Sequence, residues 1–173
     1  HSTSPAGVAG ELINGSSTSV AACPELLNQN DIAIIQHEYG IYGGVDGDEV
    51  VEIIGALRVP SIVVAHTVLT CPTPHQRAVL EEIAALTDRV VVMSQAAKER
   101  LCVGYRVDPQ KIVTIPHGAT IPRIDPPPRS GRPTLLTWGL LGPGKGVERV
   151  IDAMDSLRDL PDSPRYLIAG QTH

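Results

Sequence analysis

The amino-acid sequence predicts an α/β fold with a parallel sheet of Rossmann-like type. Three observations lead there. Apolar runs too short for helices recur at 32–35 (IAII), 61–65 (SIVVA), 89–93 (RVVVM) and 112–115 (IVTI), with helical periodicity between them. Several of these runs stop at polar or glycine residues, where open α/β sheets place ligand contacts. A further run at 134–138 (TLLTW) leads through a glycine-rich loop into another helical pattern.

Each element has its own local reason. Residues 1–19 are rich in Ser, Thr, Gly and Ala and specify no element, and 20–27 predicts a weak helix containing Pro24. After the turn cluster Asn28-Gln29-Asn30-Asp31, the continuous apolar run 32–35 predicts a strand covered on both faces. It ends at Gln36-His37-Glu38-Tyr39-Gly40, with Gly43-Gly44 beyond. Asp46, Asp48 and Glu49 open the next helix, since acids suit its positive end, and Val50, Ile53, Ile54 and Leu57 form its buried stripe. Pro60 breaks the chain before strand 61–65, which ends at His66-Thr67. Thr73 and Gln76 form a capping box with Pro74 at the first helical position, and Val79, Leu80, Ile83 and Leu86 continue that helix. Strand 89–93 passes to a helix capped by Ser94 and reaching about residue 103. Asp108-Pro109 starts a turn, and strand 112–115 ends at Pro116-His117-Gly118, where Gly118 suits a positive φ. Residues 122–133 (PRIDPPPRSGRP) read as a stiff linker. Beyond it come strand 134–138, a helix carrying Val147, Val150, Ile151 and Met154, the breakers Pro161 and Pro164, and strand 165–169. The expected division is a partial N-terminal domain at 1–121, the linker at 122–133, and the first β-α-β of a truncated second domain at 134–173.

Composition narrows the function. A net charge of −5 with scattered basic residues argues against sequence-independent nucleic-acid binding, and 3% aromatics without Phe argue against base-stacking platforms. No apolar run approaches the roughly 20 residues of a membrane span, and the first residues lack the regions of a signal peptide. A cytoplasmic protein is expected, with room for peripheral membrane association. Cys23, Cys71 and Cys102 lack C-x-x-C spacing and read as reduced thiols, Cys71 and Cys102 as buried ones. His37, Glu38, His66, Cys71, His75 and His117 nowhere show zinc-type spacing, so no metal is expected. Glu81-Glu82 reads as a solvated helix face.

The strongest chemical signal is the loop GLLGPGKG. Gly139, Gly142, Gly144 and Gly146 surround Lys145 between a strand and a helix, the arrangement in which backbone N–H groups and a helix N-terminus face an anion. It nearly fits a magnesium-binding phosphate loop, but Gly146 stands where Ser or Thr is needed after the lysine. Its glycines do not fall as G-x-G-x-x-G.

GLLGPGKGVERVIDAM resembles the donor loop of family-four glycosyltransferases with the GT-B fold, whose pattern is G-R-x-x-x-x-K-G between strand and helix. Four upstream stretches agree in order: Gln36-His37-Glu38-Tyr39-Gly40, Val64-Ala65-His66-Thr67, Val91-Val92-Met93-Ser94-Gln95-Ala96-Ala97 and Ile115-Pro116-His117-Gly118-Ala119. The resemblance implies metal-independent, retaining transfer of a sugar from a nucleotide-sugar to a carbohydrate or lipid-linked acceptor, in a cleft between two Rossmann-like domains. It implies that Lys145 and the loop glycines contact the donor diphosphate and that His66 is the active-site histidine. It also implies that His37, Glu38, Gly43, Gly44, Thr67, Ser94, His117 and Gly118 line the acceptor side or the cleft. The segment is most similar to the mannosyltransferase-like branch, which implies GDP-mannose as donor and no separate cofactor. Two features depart from the pattern. Leu140 stands where the family has arginine, and an E-x7-E donor segment is not within the chain. The chain therefore reads as a fragment, inactive alone. The alternatives are a non-catalytic nucleotide- or phosphate-binding module, a sugar-nucleotide epimerase of the same fold, and a phosphate-loop hydrolase, against which Gly146 speaks. For single residues the plain readings are a loop-capping His66, a polar turn at His37-Glu38, and a simple helix cap at Ser94.

Overall fold

The computed structural model describes residues 7–120 and 131–172. The chain divides into two compact units, with the boundary between Ala119 and Thr120. Most of the expected linker, 122–130, lies outside the described residues.

The first unit contains α1 (Ser17–Leu27), β1 (Ala33–His37), α2 (Glu49–Gly55), β2 (Ser61–Ala65), α3 (Pro74–Leu86), β3 (Arg89–Val92), α4 (Gln95–Gly104) and β4 (Ile112–Thr114), with 3-10 turns at Val45–Gly47 and Pro109–Lys111. The strands form one parallel sheet in the order β1-β2-β3-β4. Because every pair is parallel, the C-terminal strand ends, which carry the polar residues, all lie at one edge.

The side chains build the elements much as their types dictate. Ser16 caps α1 by accepting the Ser19 N–H, and Val20 and Pro24 form its buried side. Thr73 and Gln76 make both bonds of the capping box on α3. The helix at 49–55 begins later than its acidic residues suggest, because Asp46 sits at φ 53 and the preceding residues form a separate 3-10 turn. Ala33, Ile35, Val50, Ile54, Val63, Val79 and Ile83 form one part of the core. Ala65, Leu80, Ala84, Val90, Val92, Leu101, Tyr105 and Ile112 belong to the other, so α3 serves both.

Three expectations are corrected here. The first strand runs two residues further than its apolar run, taking in Gln36 and His37, and only one of its faces is covered. Ala33, Ile35 and His37 are buried, whereas Ile34 is 59% exposed. The core residues of α2 and α3 pack against the first set, and among the described residues nothing comparable covers the second. Cys71 is exposed and Cys102 half-buried, because Cys71 lies in the polar loop before α3 rather than in an element. Glu81 is buried rather than solvated. Its carboxylate accepts the Arg106 backbone N–H at 3.0 Å and the Arg106 Nε–H at 2.8 Å. That backbone N–H and the guanidinium hold the Glu81 carboxyl below its usual range, against the opposing effect of desolvation.

The second unit contains β5 (Thr134–Trp138), α5 (Val147–Asp155) and β6 (Arg165–Ala169). β5 and β6 pair in parallel from Thr134↔Arg165 to Trp138↔Ala169. The strand at 134–138, apolar enough to suggest burial, is largely exposed, and Trp138 shows 78% of its surface. One helix and one neighbouring strand have too little surface to enclose it. Among the described residues no helix is long and apolar enough to cross a membrane.

One lysine closes α3 from outside the helix. Lys111 Nζ, arriving just before β4, donates to the carbonyls of Ala84 at 3.2 Å, Ala85 at 2.8 Å and Thr87 at 2.8 Å. A cation there satisfies orphan carbonyls at the negative end of the helix dipole. Replacing Lys111 with Met keeps the alkyl stem and removes the charge. Lys111→Met is expected to destabilise the first unit by about 1–2 kcal/mol, read as a lower denaturant midpoint by circular dichroism. An unchanged midpoint would show that water replaces the ammonium without loss.

Candidate functional site

The sheet edge of the first unit gathers one cluster of polar residues. β1 alternates, so Gln36 points to its open face, His37 to the core, and Glu38 follows at the strand end. The pairing of β1 with β2 continues one step beyond the strands, where the His66 N–H donates to the His37 carbonyl at 3.0 Å. This brings the two strand ends side by side. His66 Nε2 lies 2.7 Å from Gln36 Oε1, and Thr67 Oγ1 donates to Glu38 Oε2. The His66 ring is exposed, and the ring of His117, just past β4, lies 6.4 Å from it between centroids.

The loop after His66-Thr67 is held from α4 and its end. Arg100 Nη1 donates to the Val68 carbonyl at 2.7 Å, and Tyr105 Oη donates to the Leu69 carbonyl at 2.9 Å. The Arg77 guanidinium lies 5.1 Å from the centre of the Tyr105 ring. The exposed imidazole is thus carried on a segment fixed on both sides.

The structure sorts the other residues singled out in the sequence. His37 was expected on the acceptor side, but its side chain is fully buried at 0% exposure, so it does not face the surface. Strand alternation is the reason: its neighbours in the sequence point the other way. Both of its ring nitrogens lack a hydrogen-bond partner among the described residues, and Tyr39 packs edge-on at 5.2 Å. Gly43 and Gly44 have local structural reasons for being glycine. A Cβ on Gly43 would meet the backbone nitrogen of Gly15 at 2.8 Å and collide with the Glu49 carboxylate, which accepts the Gly15 N–H at 3.0–3.1 Å. Gly44 has φ 79, a conformation that residues with a Cβ rarely adopt. The Ser94 hydroxyl caps α4 by accepting the Ala97 N–H at 3.1 Å. His117 and Gly118 are exposed at the same sheet edge, and Gly118 is not among the residues of positive φ. His75 bridges Asp46 at 3.0 Å and Asp48 at 3.5 Å. Among the described residues no group of three or more His, Cys, Asp or Glu is arranged to hold a metal ion. Gln36 was missed as a functional candidate. The unbroken apolar run 32–35 shows no alternation that would place Gln36 on the open face, and its partner His66 lies 30 residues away.

The glycine loop belongs to the second unit. Gly139 (φ 131), Gly144 (φ 81) and Gly146 (φ 74) have positive φ, where residues with a Cβ are disfavoured. The Gly139 and Leu141 N–H groups bond to the carbonyls of Ala169 and Gln171, which anchors the start of the loop. The Lys145 N–H closes a turn on the Gly142 carbonyl at 3.2 Å. Gly146 is the N-cap of α5 and has no side chain with which to cap it; its carbonyl accepts the Arg149 N–H at 3.1 Å, and among the described residues the Val147 and Glu148 N–H groups have no hydrogen-bond acceptor. Lys145 and Leu140 are both exposed.

The model for Glycosyltransferase Family 4 matches residues 9–121. The chain belongs to that family. No curated protein sequence matches it. Among solved structures it is similar to the crystal structure of TarM, with a TM-score of 0.66 and 15% identity over 88% of this chain and 31% of that one. It is also similar to a point mutant of S. aureus TarM in complex with fondaparinux, alpha-GlcNAc-glycerol and UDP, with a TM-score of 0.63 and 16% identity over 90% of this chain and 32% of that one. The chain therefore spans about a third of the length of these structures. At such identities the likeness establishes the fold: a parallel-sheet α/β arrangement of GT-B type, present in part.

Buried His37 gives the first unit a pH dependence. Burial favours the neutral ring and pushes its pKa below the ordinary value, with Glu38 opposing and His66 adding to the shift. The unfolded chain therefore takes up this proton first as pH falls. The stability is fully present above the ordinary histidine pKa of about 6.5 and is lost as pH falls through the lower folded value. The denaturant midpoint is expected to drop between about pH 7.5 and pH 5, and His37→Leu to flatten that slope. Equal slopes in the two proteins would assign the acid sensitivity elsewhere.

Proposed function

We propose that the chain is part of a retaining glycosyltransferase that moves a sugar from a nucleotide-sugar to a hydroxyl of a glycan, lipid or small-molecule acceptor. Family membership sets the class of chemistry. The observation that carries the reading to a nucleotide-sugar is the loop at 139–146. Its three positive-φ glycines lead into an uncapped helix N-terminus, with Lys145 exposed among them. A diphosphate suits both features, since backbone N–H groups and the helix dipole favour an anion and an ammonium neutralises it.

In such a transfer the bond between the anomeric carbon and the donor phosphate breaks, and the nucleoside diphosphate leaves with the electron pair. The acceptor oxygen bonds to the same face of the carbon, and its proton passes to the phosphate oxygen of the departing nucleoside diphosphate. Lys145 and the loop amides would stabilise the charge that grows on the leaving diphosphate. In the first unit, His66, Thr67 and Glu38 would offer polar groups to sugar hydroxyls, with His66 beside the transferred sugar.

The finer reading is a mannosyltransferase using GDP-mannose without a metal and acting in the cytoplasm. Its support is the likeness of the QHEYGIYGG and GLLGPGKG stretches to that branch. Leu140, apolar where the family has arginine, favours one other reading: a non-catalytic nucleotide-binding module of the same fold.

Isothermal titration calorimetry with UDP and GDP, in the presence of EDTA, tests the phosphate role. A nucleoside diphosphate is expected to bind without metal, and Lys145→Ala to weaken it about tenfold or more, as loss of a charge-assisted phosphate contact implies. Equal affinity in the two proteins, or no binding by either, would overturn the assignment of the loop. The nucleotide preferred by the unaltered chain decides between a guanosine and a uridine donor.

A further inference from the structure

We propose that Gln36 is a positioning residue that sets the tautomer of His66, placing the proton on Nε2 and turning the Nδ1 lone pair toward a sugar hydroxyl. This rests on the reading of His66 as the residue beside the transferred sugar.

A neutral imidazole has one N–H donor and one acceptor nitrogen, and the partner at one nitrogen decides the role of the other. His66 Nε2 lies 2.7 Å from Gln36 Oε1. An amide oxygen only accepts, so this contact is a hydrogen bond when Nε2 carries the proton. Nδ1 then keeps its lone pair. Among the described residues it has no hydrogen-bond partner, and the ring is exposed. An exposed acceptor nitrogen held at a fixed angle suits a hydroxyl donor, the group in which sugars are richest.

Gln36 is built to hold that position. It lies in β1, with its backbone carbonyl accepting the Tyr42 hydroxyl at 2.9 Å. The adjoining His37 carbonyl accepts the His66 N–H, and Glu38 accepts the Thr67 hydroxyl. The amide–imidazole contact therefore sits between two further bonds joining the same strand ends. The choice of amide over carboxylate also matters. A carboxylate in this place would fix the same tautomer but would favour the imidazolium, which has no lone pair to offer. Glutamine orients the ring without adding charge. The other titratable groups near the ring are Glu38 at the end of β1, buried His37 behind it, and His117 beyond β4.

The test is nitrogen-15 NMR of the histidine side chains in the whole chain, with His66 assigned by the signal lost in His66→Asn. The proposal expects a single Nε2–H tautomer for His66 at pH 8. Gln36→Glu should raise the midpoint of His66 titration by about one unit or more, as a carboxylate in contact does, while Gln36→Leu should not. Gln36 is exposed, so neither change disturbs the core. An Nδ1–H tautomer in the unaltered chain, or a His66 titration indifferent to Gln36→Glu, overturns the proposal. Both readouts are taken without nucleotide. Failure here thus leaves the phosphate loop standing, and failure of nucleotide binding leaves the tautomer measurement intact.

Discussion

The first unit depends on the parallel register between β1 and β2. Ala33 faces Ser61 and His37 faces Ala65, and the ladder ends with the bond from the His66 amide to the His37 carbonyl. A shift of one residue would turn every side chain of β1 to the opposite face. Gln36 would then be buried and His37 brought to the surface, and neither would stand where the structure has it. The register thus settles the core and the polar cluster together. The bond pattern that lets Ile35 pack with Val63 also lets Gln36 meet His66.

Much of this was legible in the sequence, because each βα unit carries local signals. The capping box at Thr73 and Gln76, the cap at Ser94 and the apolar runs give strand and helix without reference to the rest of the chain. Legibility ends where an answer depends on a distant partner. Nothing local says that Glu81 will be met by Arg106, or that Lys111 will close a helix ending at Leu86. The apolar run at 32–35 suggested two covered faces because its pattern shows no alternation, and Ile34 shows that apolar sequence and burial are separable. Of the polar cluster, His66 stood out by position. Gln36 did not, because a glutamine becomes informative only when the atom opposite it is known.

The two units handle charge differently. In the first, the polar groups of the sheet edge are tied to one another, His66 to Gln36, Thr67 to Glu38 and His75 to Asp46. Such mutual bonding fixes orientation and leaves few groups to move when a ligand arrives. In the second, the loop offers backbone N–H groups and one lysine, with no capping side chain ahead of α5. That suits a partner that brings its own negative charge.

The exposed indole at the end of β5 has a spectroscopic consequence. Trp138 is the only tryptophan in the chain, and it immediately precedes Gly139, the first residue of the glycine loop. Intrinsic emission excited at the red edge of the ultraviolet therefore comes from the second unit alone. It is already solvent-relaxed at 78% exposure, so unfolding should change its colour little. Quenching by a soluble anion such as iodide would instead sense the charge beside the loop. The first unit carries no indole and is silent in that channel, so one fluorophore isolates the behaviour of the second unit.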